Sequence, residues 1–546
     1  MTTTLDLFDW DVVYATTFAA LDRRLHDQGW YPTDFSGEVG DNKASGSWGC
    51  WEILGDAPSD FLWLQGTVDS GTAVVGGQSI DLGGSRWTVQ VSLHDAGGGS
   101  FRPASSPPTS PHLAQFDIDL RGAQRYQVQE LMVEILGPQI LGLGEVVNVN
   151  LEDHGVLAKY PWLRPTSANL ALQALGSKDE RKGIVAVLAM TQGRSGAGNQ
   201  LAVDSGILCS SQGVDGAALA IGPGLLTEQL LRPSLAALVQ GSTVDDFTTD
   251  KAGVVLYNPQ QITWGSFSYD LSNGETSTIE PTIPKGNIEL SLEKDLVHLS
   301  MSDIHFRDPS WGGPGYITVA FDTEAFIHFD FVLRKDGGLV MVPKPGDFSG
   351  FNVTITPSES LQIFQIALDV ALQVLFAVLG GIVESVTGPA EQAVNDAVEE
   401  GAEGSFGAEM GAETVDGIAG EATEEEVQEA REGAAQDAGE ALANEGKPGY
   451  LQKFKAALWA NRYKIGLKLI EKMVEIPAGK IESIAVYLAK EDYDQLPDIS
   501  AFAKALMEVV TWQQAASFKV ESGALEGSLV FRGTLTSAEG SKGEEG

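Results

Sequence analysis

The sequence predicts an α+β fold in which antiparallel sheets enclose long helices. Three observations carry this reading. Short segments of alternating polarity recur over most of the first 355 residues. A long, almost wholly apolar stretch follows at residues 356–387, and a basic amphipathic stretch lies at 451–475. A helix that is apolar on most of its circumference must be buried, and the preceding strands are the available cover.

The chain opens with residues 10–15 (WDVVYA), aromatic and β-branched, which read as a strand or buried turn. Phe18, Leu21 and Leu25 then recur at helical spacing and stop before Gly29. Residues 47–54, 60–68 and 86–93 read as strands separated by glycine-containing breaks. In the last of these Trp87, Val89, Val91 and Leu93 alternate with polar residues, as in a half-buried strand. Residues 97–111, rich in Gly, Ser and Pro, read as a loop. Phe116, Ile118 and Leu120 resume the alternation, and residues 126–136 and 145–151 continue the β-rich run.

Residues 161–165 form a proline-bounded turn. Residues 184–190 are continuously apolar, as suits a strand buried on both faces. Residues 224–239 have helical spacing with a break at Pro233. Strands resume at 251–269 and 288–308, then a long strand pair or hairpin at 316–333, then 339–342 and 351–355.

The apolar stretch has a clear start: Thr356 caps, Pro357 suits the first helical position, and Glu359 completes a capping box. A helix over 357–387 is roughly 46 Å long. Gln362, Gln365, Asp369 and Gln373 form one narrow polar stripe. Those four side chains argue against a membrane span. The remaining readings are a core helix wrapped by a sheet and a helix that also lines a cavity for an apolar ligand.

Composition changes after Gly388. Residues 391–447 hold 17 Asp or Glu and two basic residues, with one aromatic, Phe406. Such a segment has too little apolar surface to pack a core. It reads as a flexible or loosely helical insertion, or as an acidic interaction arm. In residues 451–475, Leu451, Phe454, Leu458, Ile465, Leu469 and Met473 make an apolar face. Lys464, Lys468 and Lys472 make a basic stripe at i, i+4 spacing. A second core helix with a solvated edge, contact with an anionic membrane or headgroup, and cover by the neighbouring acidic segment all fit. Residues 484–488 read as a strand, 500–510 as a helix, 518–531 as closing strands, and 536–546 as a disordered tail.

The formal net charge is -40, which repels nucleic acid and excludes its binding as the main function. Two cysteines, Cys50 and Cys209, form no metal-ligand cluster and no disulfide framework. The first ten residues lack a basic-then-apolar pattern, so no signal peptide is expected and the site of synthesis reads as cytoplasmic. No phosphate-binding loop, HExxH, GxSxG or paired CxxC motif occurs. His298, Asp303, His305 and Asp308 form the densest candidate metal group, and Asp9/Asp11 and Asp117/Asp119 are D-x-D pairs of a type some metal-dependent transferases use. Each is weak on its own, so no catalytic residue, no metal and no cofactor is expected.

Several segments taken together resemble the clostridial P-47 and OrfX family, encoded beside botulinum-type neurotoxins. They are WDVVYA at 10–15, WEIL at 51–54, YPWLRP at 160–165 and VLAMT at 187–191. GPGLLTEQLLRPSL at 222–235, LPDISAFA at 496–503 and FKVESGALEGSLVFRG at 518–533 continue the series. The resemblance spans nearly the whole chain except the acidic insertion. It implies a tubular lipid-binding (TULIP) architecture, with long curved sheets each wrapped around a long helix. On that reading residues 1–250 form one module, 251–389 with 450–535 a second, 390–449 an insertion and 536–546 a tail. It implies a lipid-binding accessory role in a toxin system, with lipid or an anionic membrane and other toxin-cluster proteins as partners, and release with the toxin. The groove then involves Ile363, Phe364, Leu368, Leu372, Leu375, Phe376 and Leu379, with Lys464, Lys468 and Lys472 at the headgroups. The same architecture with a filled core serves equally as a protein scaffold. The resemblance supplies no catalytic residue.

Overall fold

The computed structural model describes residues 4–55, 61–104, 112–118, 120, 122–151, 160–175, 183–208, 215–239, 241–270, 276–308, 317–345, 351–357, 493–512 and 517–536. The chain divides into two compact units, Met1–Pro223 with Ser500–Gly546, and Gly224–Ile499.

The first unit begins with β1 (Val12–Thr17), α1 (Phe18–Asp27), β2 (Asp34–Val39), β3 (Asn42–Ile53), β4 (Leu62–Val75), β5 (Gln78–Asp81) and β6 (Arg86–Asp95). It continues with β7 (Ser100–Ala104), β8 (His112–Asp117), α2 (Gly122–Leu141), β9 (Val147–Val149), β10 (Pro165–Ala174), β11 (Gly183–Thr191) and β12 (Gly216–Ile221). The second unit holds β13 (Thr248–Thr249), β14 (Val255–Tyr257), β15 (Ile262–Thr263), β16 (Phe267–Asp270), β17 (Thr276–Ile279) and β18 (Thr282–Ile283). It ends with β19 (Ile288–Glu293), β20 (Leu296–Asp308), β21 (Ile317–Leu333), β22 (Leu339–Pro345) and β23 (Phe351–Pro357). The chain then returns to the first unit with a helix at Ser500–Met507, β24 (Val510–Thr511), β25 (Ser517–Leu525) and β26 (Leu529–Thr536).

A six-stranded antiparallel sheet in the order β10-β11-β1-β12-β26-β25 anchors the first unit. Every residue of β1, β11 and β12 is buried. That is the outcome expected of the apolar run at 184–190, since a strand with no polar face needs cover on both sides. One face packs Val13, Ala15, Ile184, Ala186 and Leu188 with Leu5, Leu7, Trp10 and Ile207. The other lies against α1, which touches β1 and β11, and the Ser500–Met507 helix, which touches β12 and β25. Thr17 ends β1 and caps α1, its hydroxyl accepting from the Ala20 amide at 2.9 Å.

A second sheet of the same unit is ordered β2-β3-β4-β6-β7-β9-β24, with β5 on β4 and β8 on β6. Helix α2 packs against β2, β3, β4, β7 and β8. Its buried residues, Val128, Leu131, Met132, Ile135, Leu136 and Ile140, recur at helical spacing. The β-rich reading of 126–136 is therefore corrected. Gly122 in the left-handed region at the start and Pro138 inside the helix hid the period. The loop expected at 97–111 is also corrected in part, because β7 pairs with both β6 and β9. Gly97, Gly98 and Gly99 all take positive φ, and Asp95 Oδ1 accepts from the Gly97 and Gly99 amides. That makes a tight turn with a strand directly after it.

The second unit is built on a sheet ordered β13-β14-β19-β20-β18-β15, with β21 beside β20. The strand pair or hairpin expected at 316–333 is corrected: it is one continuous strand of 17 residues, bordered on its other side by β22 and then β23. The helix expected at 224–239 is present as Pro223–Leu226, a π-helical turn at Thr227–Leu231, and Arg232–Leu238. Pro233 has no amide to donate, and the amide of Arg232 reaches five residues back to the Thr227 carbonyl.

The closing strands, expected in the second module, belong to the first unit: β26 pairs with β12 from Gly216↔Thr534 to Ile221↔Leu529. Thr356 and Pro357, expected to cap and open a long helix, instead end β23, paired with Thr318 and Ile317. Residues 358–387, the helix expected at 451–475, the strand at 484–488, the acidic insertion and the tail from 537 onward lie outside the described residues.

Candidate functional site

The expected groove residues Ile363, Phe364, Leu368, Leu372, Leu375, Phe376 and Leu379 lie outside the described residues, as do Lys464, Lys468 and Lys472. In the first unit, the face of the second sheet on which α2 packs is filled by side chains. Ile135 of α2 lies so close to Gly37 that a Cβ there would sit 2.6 Å from Ile135 Cγ1. Trp51 lies flat over Gly66, whose Cβ would meet the indole at 2.8 Å. Large side chains press onto bare backbone at both places, which is how a sheet accommodates a dense layer.

An aromatic cluster joins this layer to α1. Trp48 and Trp51 have ring centroids 4.7 Å apart, Phe35 and Trp48 5.0 Å, and Trp30 and Tyr31 5.3 Å. Two of the three indoles are tied off locally, while Trp48 Nε1 is buried without a hydrogen-bond partner. Trp51 Nε1 donates to the Pro32 carbonyl at 3.1 Å and Trp30 Nε1 to that of Gly144 at 3.1 Å. Tyr31 donates its hydroxyl to Asp22 Oδ1, which also accepts from the Ile53 amide at 3.2 Å. Burial pushes the Asp22 carboxyl up, against the lowering effect of the Tyr31 hydrogen bond, and it pushes the Tyr31 phenol up as well.

For Asp22 the folded pKa lies above its unfolded value. Its contribution to stability is therefore full below the unfolded value of about 3.9 and is lost as pH rises through the folded value. Asp22→Asn is expected to flatten this part of the stability curve in urea unfolding measured above about pH 4. An unchanged slope would show that Asp22 does not titrate abnormally.

The D-x-D pair at Asp9 and Asp11 is divided by the backbone. Asp9 precedes β1 in the left-handed region (φ 66), and its carbonyl accepts from Asn199 Nδ2 at 2.9 Å. Asp11 is buried and committed to structure. Its Oδ2 accepts from the Thr191 amide at 2.7 Å and hydroxyl at 3.0 Å, and its Oδ1 meets Arg194 at 2.8 Å. Burial raises the Asp11 carboxyl, opposed by the Thr191 amide bond and by Arg194. Asp117 ends β8, and Asp119 lies outside the described residues.

The His298–Asp308 group is also dispersed. His298 stacks on Phe326, its cross-strand neighbour, with centroids 4.5 Å apart. Its Nδ1 lies 3.0 Å from Glu293 Oε1 and its Nε2 2.8 Å from Glu324 Oε1. The carboxylates sit at opposite ring nitrogens and share no point with the imidazole. A bulge between Met301 and Ile304, with Asp303 at φ 52, interrupts β20 before His305, whose Nδ1 lies 2.9 Å from the Asp303 carbonyl oxygen. The Asp308 side chain lies outside the described ones. Among the described residues no group of three His, Cys, Asp or Glu is placed to hold a metal ion.

Sequence reasoning missed Arg532 altogether. This buried guanidinium donates to the carbonyls of Ile207 and Gly206, each at 2.9 Å, and forks onto Glu526 at 3.0 and 2.6 Å. The signal available was an arginine amid the apolar closing strand, six residues from a glutamate.

Taken together, the described residues define a mostly antiparallel β protein with few helices and one curled sheet. That is the P47 fold. The chain is similar to P47 of Clostridium botulinum E1 at 12% identity and a TM-score of 0.54, over 96% of this chain and 99% of that one. It is similar to P47 from Clostridium botulinum A2 at 13% identity and a TM-score of 0.53, over 68% and 86%. A lipopolysaccharide binding protein aligns at 12% identity over 66% and 88%, with a TM-score of 0.23, too low for a shared fold. No family model and no curated protein matches the chain. No helix among the described residues is long and apolar enough to cross a membrane.

Proposed function

We propose that the chain is a non-enzymatic, lipid-binding accessory protein of a bacterial toxin gene cluster, acting in toxin assembly, delivery or membrane association. The observation that carries this reading is the P47 fold along nearly the full length of both chains. It is supported by the apolar stretch at 356–387 and the basic stripe of Lys464, Lys468 and Lys472. A buried acyl chain contributes about 0.8 kcal/mol per methylene before entropic costs. Each lysine near an anionic surface contributes about 1 kcal/mol.

Native mass spectrometry of the gently purified full chain is expected to show a mass above that of the polypeptide. Replacing Lys464, Lys468 and Lys472 together by glutamine is expected to weaken binding to phosphatidylserine vesicles by roughly a hundredfold at low salt. The bare polypeptide mass, together with no binding to those vesicles, would sink the proposal.

One observation favours a second reading, a protein scaffold with a filled core. On the second sheet of the first unit, Ile135 and Trp51 pack directly onto Gly37 and Gly66. A stable complex with another protein of the same toxin cluster, formed without lipid, would select it.

A further inference from the structure

We propose that His298 is a proton-operated clip in the second unit. With a proton on each ring nitrogen it ties Glu293 of β19 and Glu324 of β21 to β20, and as a neutral ring it lets one of them go. Nδ1 lies 3.0 Å from Glu293 Oε1 and Nε2 lies 2.8 Å from Glu324 Oε1. An ionised carboxylate only accepts hydrogen bonds, so both ring nitrogens must donate. The imidazolium has two N–H groups and the neutral imidazole has one. In the neutral ring, one nitrogen turns its lone pair toward a carboxylate oxygen at the same short distance, and the two repel.

The surroundings hold the ring to this double task. Phe326, opposite His298 in the β20–β21 ladder, stacks on the imidazole with centroids 4.5 Å and planes 9° apart. The stack keeps the ring in a plane from which its nitrogens reach toward β19 on one side and β21 on the other. The His298 side chain is 17% exposed, that of Glu324 37% and that of Glu293 53%. Glu293 is also the last residue of β19, which makes it the arm that leaves. The Ser291 hydroxyl donates to the same Glu293 oxygen at 3.2 Å, a neutral bond and the weaker of the two.

The charged residues on the strands and turn around the ring are acidic on balance. β19 carries Glu289 and Glu293, the turn carries Lys294 and Asp295, and β21 carries Glu324 and Asp330. His328, opposite Leu296 on the same face, has Nδ1 3.7 Å from Asp295 Oδ2, and Lys344 of β22 stands opposite His328 in the ladder. Once the imidazole is neutral, Glu293 and Glu324 flank an uncharged ring. Histidine is the side chain whose ordinary titration falls between about pH 5 and pH 8. Acid adds the second bond and base removes it. The turn end of the β19–β20 hairpin, residues 292–297, is therefore tied at low pH and loosens as pH rises.

The test is hydrogen exchange of the full chain, read by mass spectrometry on peptides covering residues 289–300 from about pH 5.5 to about pH 8 and corrected for intrinsic exchange. Protection of residues 292–297 is expected to fall by about threefold to tenfold over that range. His298→Gln, which has no titrating ring, should flatten the change. Glu324→Gln should reduce it, because the amide can serve a neutral ring as well as a charged one. His328→Gln should leave it in place. Protection that does not vary with pH overturns the proposal. So does an equal fall in His298→Gln, or a fall that disappears in His328→Gln, which would move the switch to the other imidazole. If His298→Gln does not fold, Glu324→Gln decides alone, and an undiminished fall in that variant overturns the proposal.

Discussion

Replacing Asp11 with alanine is expected to lower the stability of the chain by about 2–4 kcal/mol, read as a shift in the first unfolding transition in urea. The cost comes mainly from Thr191, fully buried, whose amide at 2.7 Å and hydroxyl at 3.0 Å both donate to Asp11 Oδ2. Without the carboxylate those donors have lost their acceptor in a dry place. Arg194 contributes less, because its side chain is 39% exposed and regains water. Asp11→Asn keeps an acceptor for the amide and is expected to cost about 1 kcal/mol. Equal losses for the two substitutions would show that charge pairing with Arg194 dominates.

Arg532→Ala is the second large effect, about 3–5 kcal/mol. The side chain is 10% exposed and that of Glu526 20%, so neither charge is well solvated once its partner is gone. Arg532 also ties the 206–207 backbone to β26 through two carbonyls. Arg532→Lys keeps the charge but cannot span two carbonyls and a carboxylate at once, so an intermediate loss is expected. A double-mutant cycle with Glu526→Gln measures the pair directly. A coupling near zero would place the whole effect in the carbonyl contacts.

Much of the β architecture was legible in the sequence for a physical reason. Residues 184–190 have no polar face, and only a strand covered on both sides tolerates that. Trp87, Val89 and Val91 alternate with Thr88 and Gln90, and the strand forms there. Helix α2 was missed because its buried positions are rich in Val, Ile, Leu and Met, which strands also favour, and a proline lies inside it. Period 3.6 competes poorly with composition over such a stretch. The association of β26 with β12 was not legible, because pairing across several hundred residues leaves no local mark. The site was less legible than the fold. Asp9/Asp11 drew attention as a pair, yet only the Asp11 carboxylate is built into the fold, while Asp9 takes the left-handed turn before β1 and offers its backbone carbonyl to Asn199. His298 drew attention as a ligand, yet its two ring nitrogens already face Glu293 and Glu324.

The ladder between β12 and β26 also sets an order of events during synthesis. β12 ends at Ile221 and its neighbour begins at Leu529, so the central sheet waits for roughly 300 further residues. At about 5–20 residues per second, that delay is on the order of 15–60 s on the ribosome. Throughout it the apolar strand GAALAI has one open side. The described strands of residues 224–499 pair among themselves, and all of those residues are synthesised before the first unit's closing strands. Slowing elongation after residue 221 is therefore expected to raise the share of the chain lost to aggregation.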